Sequence, residues 1–252
     1  MKVKVLSSGS KGNTTYIETD NTKILIDVGN SYKYITEKLD EMNVAPEEID
    51  GILITHLHVD HIKGLKLFCR KNNIKIYLTE IMKNNLDYVL NYSLIDDEFD
   101  VNDIHVTAIK TSHDTEDSRG YILVNNHKSI VYITDTGYIN NKYFDILKNR
   151  NLYIMESNHD VEMLTNGNYP YKLRQRILSD KGHLSNYDSS RYLNSFIGDN
   201  TKYILLAHLS DDNNTETLAY ETLFNKLKAE RKHVDNIIIA KQEKETELIT
   251  LW

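Results

Sequence analysis

The stretch Gly51-Ile52-Leu53-Ile54-Thr55-His56-Leu57-His58-Val59-Asp60-His61 decides how the rest of the chain is read. Its first half is a short apolar run closed by a β-branched threonine, the pattern of a strand buried on both faces. Its second half sets three imidazoles and a carboxylate within six residues, where that strand must end. In an extended turn His56 and His58 alternate and point the same way, so both can reach one cation. Asp60 and His61 fall where the following helix starts and can turn toward a second. Imidazole and carboxylate together suit zinc, manganese and iron. The competing reading, a solvated polar turn, fits poorly with so many ligand-type residues crowded against a buried strand.

Outward from this cluster the pattern predicts strands over Val3–Leu6, Thr14–Glu18 and Lys23–Asp27, with a helix over Tyr32–Met42 between them and the cluster. Beyond it follow helix Gly64–Arg70, strand Lys75–Leu78, helix Glu80–Leu90 and strands Ile104–Lys110, Gly120–Val124 and Ser129–Thr134. The remainder reads as helix Tyr143–Lys148, strand Leu152–Met155, helices Tyr171–Leu178 and Asn186–Phe196, strand Tyr203–Leu206 and helix Thr217–Lys228. Strands Asn236–Ala240 and Glu247–Leu251 close the chain. Strands with interspersed helices imply an α/β (α+β) fold, two sheets or one folded sheet with helices outside. With 10 Gly and 2 Pro among 252 residues, and no repeat or low-complexity run, flexible linkers are not expected and residues 1–252 read as one domain.

Hydrophobic residues make up 40% of the chain and charged ones 27%, an ordinary soluble composition. A formal net charge of -7 argues against a protein that coats nucleic acid, although bound divalent cations make an acidic protein locally attractive to phosphate. The single cysteine, Cys69, excludes an intramolecular disulfide and reads as a core thiol. The apolar stretch of Met1–Ser8 is too short for a signal peptide and no run suits a membrane span. A cytoplasmic protein without membrane attachment is expected; nothing indicates its oligomeric state.

The run from His56 to His61 resembles the HxHxDH signature of the metallo-β-lactamase superfamily, and the resemblance continues across nearly the whole chain. Ile24-Leu25-Ile26-Asp27-Val28-Gly29 is similar to the family's first motif, whose Asp orients the ligand loop. Thr111-Ser112-His113-Asp114, Thr134-Asp135-Thr136-Gly137 and Leu206-Ala207-His208-Leu209-Ser210 resemble its later motifs. The resemblance implies a four-layer αββα sandwich with two divalent metals at one edge of the sheets, zinc first, manganese or iron as alternatives. Carried over residue by residue, His56, His58 and His113 bind the first metal and Asp60, His61 and His208 the second, with Asp135 bridging. Two cations so held lower the pKa of a shared water, giving hydroxide at neutral pH, and stabilise charge on substrate oxygens. Taken singly, His113, Asp135 and His208 read as ordinary polar turn residues; in order, each after a strand, they support one another.

Within the superfamily, antibiotic-hydrolysing members typically carry Arg where His61 stands, oxygen-reducing di-iron members Glu where His58 stands, and glyoxalase II a helical C-terminal domain. The chain resembles instead the WalJ (YycJ-like) group, similar to the nuclease branch. Three segments carry this likeness: Ser7-Ser8-Gly9-Ser10-Lys11-Gly12-Asn13, Glu156-Ser157-Asn158-His159-Asp160 and Gly182-His183-Leu184-Ser185-Asn186. It implies a metal-dependent 5′→3′ exonuclease on DNA, with catalytic Asp60, Asp135 and His183, nucleic acid as the partner and substrate. A protonated His183 could hydrogen-bond a phosphate or protonate a leaving oxygen; the competing reading is a surface histidine in a Gly-His turn. Ser8 and Asn13 would border an anion nest of backbone N–H groups, or merely a tight hairpin, and Asn158 would contact substrate. His159 reads equally as a partner of a ligand, a substrate contact or a helix-starting surface residue. Lys63, Lys172, Arg174, Arg176 and Lys181 could line a path for the phosphate backbone, or form a solvated face. The stretch from Asp135 to His183 is too short for the β-CASP insert of ribonuclease J, so any clamp must come from the segment around Tyr169–Leu184. An open site of this kind leaves a small phosphodiester, thioester or lactone as the alternative substrate. A non-catalytic binding platform is the third reading, disfavoured because the ligand set is complete.

Overall fold

Two series of strands rich in Ile, Val, Leu and Tyr form two seven-stranded sheets in the computed structural model, which describes residues 1–252. The first sheet contains β1 (Lys2–Ser7), β2 (Thr14–Glu18), β3 (Lys23–Ile26), β4 (Gly51–Leu53), β5 (Lys75–Leu78), β6 (Tyr92–Leu94) and β14 (Ile249–Thr250). Its spatial order is β14-β1-β2-β3-β4-β5-β6. The second contains β7 (Glu98–Val101), β8 (Ile104–Lys110), β9 (Arg119–Asn125), β10 (Lys128–Ile133), β11 (Leu152–Glu156), β12 (Tyr203–Ala207) and β13 (Asn236–Ile239), in the order β13-β12-β11-β10-β9-β8-β7.

The sheets pack face to face. Val3, Val5, Ile17, Ile26 and Leu53 of one meet Val106, Tyr121, Tyr132, Ile154 and Leu205 of the other in a single apolar core. Outside the first sheet lie α1 (Tyr32–Asp40), α2 (Val59–Ile62), α3 (Leu65–Asn72) and α4 (Glu80–Asn84), with Ile35, Leu39, Leu65, Phe68 and Met82 turned inward. The second sheet is flanked by α5 (Phe144–Leu147), α6 (Val161–Asn166), α7 (Tyr171–Ile177), α8 (Asn186–Phe196) and α9 (Glu216–Ala229), whose Leu193, Phe196, Leu223 and Leu227 pack on it. This is the expected αββα sandwich. Its central strands are covered on both faces, so truncating one of these Ile or Leu side chains to Ala would cost about 2–5 kcal/mol.

Strands β3, β4 and β5 are parallel, as are β10, β11, β12 and β13, while β8 runs with β10 through antiparallel β9. Their carboxyl ends therefore open on common edges, where Glu156 ends β11 and loops carry Asp27, His56, His113, Asp135 and His208. Three of these residues leave their strands through left-handed backbone: Asp27 (φ 57°), Asp135 (φ 54°) and His208 (φ 56°). That conformation is uncommon outside glycine but tolerated by Asp and His, and it turns each side chain sharply at the strand end.

Most predicted elements form within a residue or two of their expected ends. The helix expected over Glu80–Leu90 stops at Asn84, because Leu86 and Val89 reach the core from turns. Edge strands β6 and β7, and α6, were not anticipated: β6 and β7 are short, with largely exposed or half-buried side chains and no apolar run to mark them. Cys69 packs half-buried at the margin of the first helical layer, where burial pushes its thiol up to about 11. No helix is long and apolar enough to cross a membrane.

Candidate metal centre

The ligand loop is built from the backbone outward. Val28 N–H donates to the His61 carbonyl and Asn13 N–H to the Asp60 carbonyl, at 2.9 and 2.7 Å, and Gly64 N–H returns to Val28 O at 2.8 Å. Gly29 makes this crossing possible: a Cβ there would lie 1.6 Å from the Asp60 carbonyl oxygen, so no other residue fits. Beneath the loop, the fully buried Asp27 carboxylate accepts from Thr55 N–H (2.8 Å), Thr55 Oγ1 (2.7 Å) and His61 Nδ1 (2.7 Å). Burial opposes a charge on the His61 ring, but Asp135 and Asp27 outweigh it and push its pKa up to about 10. With Nδ1 committed to Asp27, Nε2 of His61 points to the centre of the site.

His56 and His113 are oriented in a comparable way. His56 Nδ1 lies 3.1 Å from Thr55 Oγ1, and His113 Nδ1 lies 3.2 Å from the Gly182 carbonyl. His58 Nδ1 and His113 Nε2 approach to 3.2 Å. The nitrogens of His56, His58 and His113 fall within 4.8 Å of one another, as do ligand atoms of Asp60, His61 and His208. Asp135 stands between the groups. Its Oδ1 is 3.3 Å from His208 Nε2 and 3.9 Å from His113 Nε2, while Oδ2 is 3.3 Å from His61 Nε2. Burial would raise the Asp135 pKa, but His208 and His61 hold it well below the usual carboxylate range.

These residues fit divalent metal. His56 Nε2, Asp135 Oδ2 and His208 Nε2 are buried without a hydrogen-bond partner, although buried polar atoms are otherwise almost always paired. Three orphaned lone-pair donors converging on one cluster of imidazoles and carboxylates are the arrangement a cation completes. Asp27→Ala is accordingly expected to weaken metal binding by about 10–100-fold, as loss of a carboxylate behind a ligating histidine commonly does. Chelator competition measures this, and unchanged affinity would show that Asp27 does not orient His61.

Glu156, to which the sequence reading gave no role, is the hub of the other half. It closes β11, is fully buried, and has every acceptor direction used. Oε1 accepts from His183 Nδ1 at 2.7 Å and from His208 Nδ1 at 3.1 Å; Oε2 accepts from the Thr136 and Leu184 N–H groups, both at 3.0 Å. Burial alone would raise its pKa, yet His183 and His208 hold it down to about 2. Because its oxygens are already occupied, Glu156 serves as a brace rather than as a further ligand. A carboxylate ending an otherwise apolar strand, Leu152-Tyr153-Ile154-Met155-Glu156, was the available signal.

Three residues expected to touch substrate lie behind the ligands instead. Ser8 is buried, and its Oγ accepts from the His208 N–H at 2.8 Å. The buried Asn13 amide holds Gly9 and reaches His61 Nε2 at 3.0 Å. Asn158 donates from Nδ2 to the His208 carbonyl at 2.9 Å. In the Gly-Ser loop the N–H groups of Ser8, Gly9, Gly12 and Asn13 donate to Lys241 O, Asn13 Oδ1, Gly9 O and Asp60 O, so the loop acts as a brace. His159 is buried too, against the expected surface alternative; neither ring nitrogen has a partner, and burial lowers its pKa to about 4. His183 differs from all of these: its side chain is 14% exposed, its ring stacks on His208 with centroids 5.3 Å apart, and Nδ1 is 3.8 Å from Asp135 Oδ1.

The comparisons with known proteins agree with this architecture. The profile of the beta-lactamase superfamily domain matches residues 22–196. The exodeoxyribonuclease WalJ of Streptococcus pneumoniae is 40% identical over 236 residues, covering 90% of this chain and 88% of that protein. The exodeoxyribonuclease YycJ of Bacillus anthracis is 40% identical over 223 residues, covering 85% and 84%. Among solved structures, the metallo-beta-lactamase fold protein YhfI of Bacillus subtilis superposes with a TM-score of 0.72 at 19% identity, over 98% of this chain and 99% of that one, a likeness of fold. The chain belongs to the beta-lactamase superfamily, in the group that includes WalJ and YycJ.

Proposed function

We propose that this protein is a metal-dependent exodeoxyribonuclease that degrades DNA in the 5′→3′ direction in the cytoplasm. The observation that carries this reading is His183, an imidazole fixed by Glu156 at the rim of the ligand cluster and left partly open. The names of the two relatives, each an exodeoxyribonuclease, support the substrate class.

His56, His58 and His113 would hold one cation and Asp60, His61 and His208 another, with Asp135 between them; zinc is the first candidate, then manganese and iron. Bound there, such cations make water nucleophilic at neutral pH and offset charge on phosphate oxygens. Asp135 or Asp60, the latter with a side chain 24% exposed, would accept the proton of the attacking water. With Nδ1 donating to Glu156, His183 presents Nε2 to the substrate, to bind a phosphate oxygen or, when protonated, to protonate the leaving oxygen. Ser8, Asn13 and Asn158 keep the His208 and Asp60–His61 loops in register while this happens.

The test is cleavage of end-labelled DNA and RNA by metal-loaded protein, with His183→Ala alongside. Ordered mononucleotide release from the 5′ end of DNA is expected, and His183→Ala should lower turnover by about 100-fold or more while retaining its metal. Wild-type turnover in that variant would remove His183 from the chemistry. Absence of DNA cleavage by a protein holding its metals would overturn the nuclease reading.

A further inference from the structure

Of the basic residues near the site, one is attached to it. Arg174 donates to the Thr165 carbonyl, and Lys63, Lys172 and Lys181 extend into solvent. Arg176, in the last turn of α7, places Nη1 2.9 Å from Asp114 Oδ2. The other oxygen of Asp114 lies 3.3 Å from His113 Nε2 and 3.8 Å from His58 Nε2. The guanidinium thus stands one carboxylate away from two of the imidazoles assigned to metal, while its side chain remains 56% exposed.

The backbone holds it there. His183 N–H donates to the Ile177 carbonyl at 3.0 Å, and Gly182 O faces His113 Nδ1. A Cβ on Gly182 would lie 2.1 Å from Ile177 O and 2.4 Å from Arg176 O, and one on Gly137 would lie 2.4 Å from Asp180 O. The end of α7 and the turn after it are therefore packed closely against the His113 loop and the turn that follows Asp135. One Asp114 oxygen engages one nitrogen of the guanidinium, leaving its outer N–H groups open to solvent. In a chain of net charge -7, a fixed cation with free donors at the rim of the cleft is suited to an anion arriving from outside.

We propose that Arg176, positioned by Asp114, binds the phosphate adjacent to the one being cleaved, and so favours a DNA strand over an isolated phosphodiester. This rests on the nuclease reading and adds to it a substrate contact outside the metal cluster. An exposed ion pair contributes little to folding, so the loss of Arg176 should be read in substrate binding rather than in stability.

The experiment compares metal-loaded wild type, Arg176→Ala and Arg176→Lys on a DNA oligonucleotide and on bis(p-nitrophenyl) phosphate, which has a single phosphate. Binding of a phosphorothioate-protected oligonucleotide is measured in parallel against salt concentration. Arg176→Ala should raise the KM for DNA by about 10-fold or more with a much smaller change in kcat. The slope of log K against log salt should fall by about 0.7, the share of one phosphate on a single strand. Its loss on the single-phosphate diester should be several-fold smaller, and Arg176→Lys should restore the salt slope and part of the KM. A wild-type KM and salt slope in Arg176→Ala, or equal losses on both substrates, would overturn the inference while leaving the nuclease reading intact. A wild type that hydrolyses the small diester but neither binds nor cleaves DNA would remove both.

Discussion

Asp135→Ala is expected to reduce hydrolysis by about 10³-fold or more and to release bound metal in the same step. The carboxylate faces both halves of the ligand cluster, with Oδ1 toward His208 and His113 and Oδ2 toward His61. Removing it would take away the proposed shared ligand and leave those imidazoles facing one another in a buried space. A loss of roughly 4 kcal/mol in stabilising the transition state corresponds to that fall in rate. Alanine also suits the left-handed backbone at position 135 (φ 54°) less well than aspartate does. Asp135→Asn keeps the shape and the conformational tolerance while removing the charge, and so separates the two effects. Metal content by mass spectrometry and single-turnover rates are the measurements. An Asp135→Ala protein with its full metal complement and a rate within tenfold of wild type would rule out the bridging role.

Glu156→Gln should be nearly as damaging although it changes one atom. The wild-type carboxylate receives four N–H groups: His183 and His208 on one oxygen, Thr136 and Leu184 on the other. A glutamine supplies one oxygen and one NH₂, so whichever way it lies, a donor must face two donors. Each buried hydrogen bond lost in this way costs about 1–3 kcal/mol, more where the partner is charged. The expected result is a drop of several degrees or more in Tm, with metal affinity reduced by about 10–100-fold as His208 loses its orientation. Thermal melts with and without metal test it. A variant as stable as wild type that binds metal normally would show that Glu156 is not the brace described above.

The candidate cluster was largely legible in the sequence because its first part is local. Four ligand-type residues from His56 to His61 follow one buried strand, and no ordinary surface turn needs that combination. His113, Asp135 and His208 could be picked out through their resemblance to the family's later motifs, supported by each following an apolar strand in the order those motifs imply. Ser8, Asn13 and Asn158 were legible as polar residues near small or turn-forming neighbours, which suggests an open loop. In the folded chain the three residues are buried, and Ser8 Oγ, the Asn13 amide and Asn158 Nδ2 bond to His208, His61 and Gly9. Local composition cannot distinguish a loop that presents its N–H groups from one that spends them.

The sequence by itself determined the strands, most of the helices and the chemical type of the site, because these follow from apolar periodicity and from ligand-type residues placed at strand ends. The αββα layering was implied by the family resemblance, the periodicity alone leaving one folded sheet or two. Tertiary structure alone decided which polar residue supports which ligand. Glu156 becomes a hub because β11 ends beside the loops of His183 and His208, residues 27 and 52 positions away along the chain. Arg176 is set apart from Arg174 and the neighbouring lysines because α7 is folded against Asp114, 62 positions earlier. Hydrogen bonds and ion pairs act over about 3–4 Å whatever the separation in sequence, so these roles exist only once folding has brought distant strand ends to the same edge.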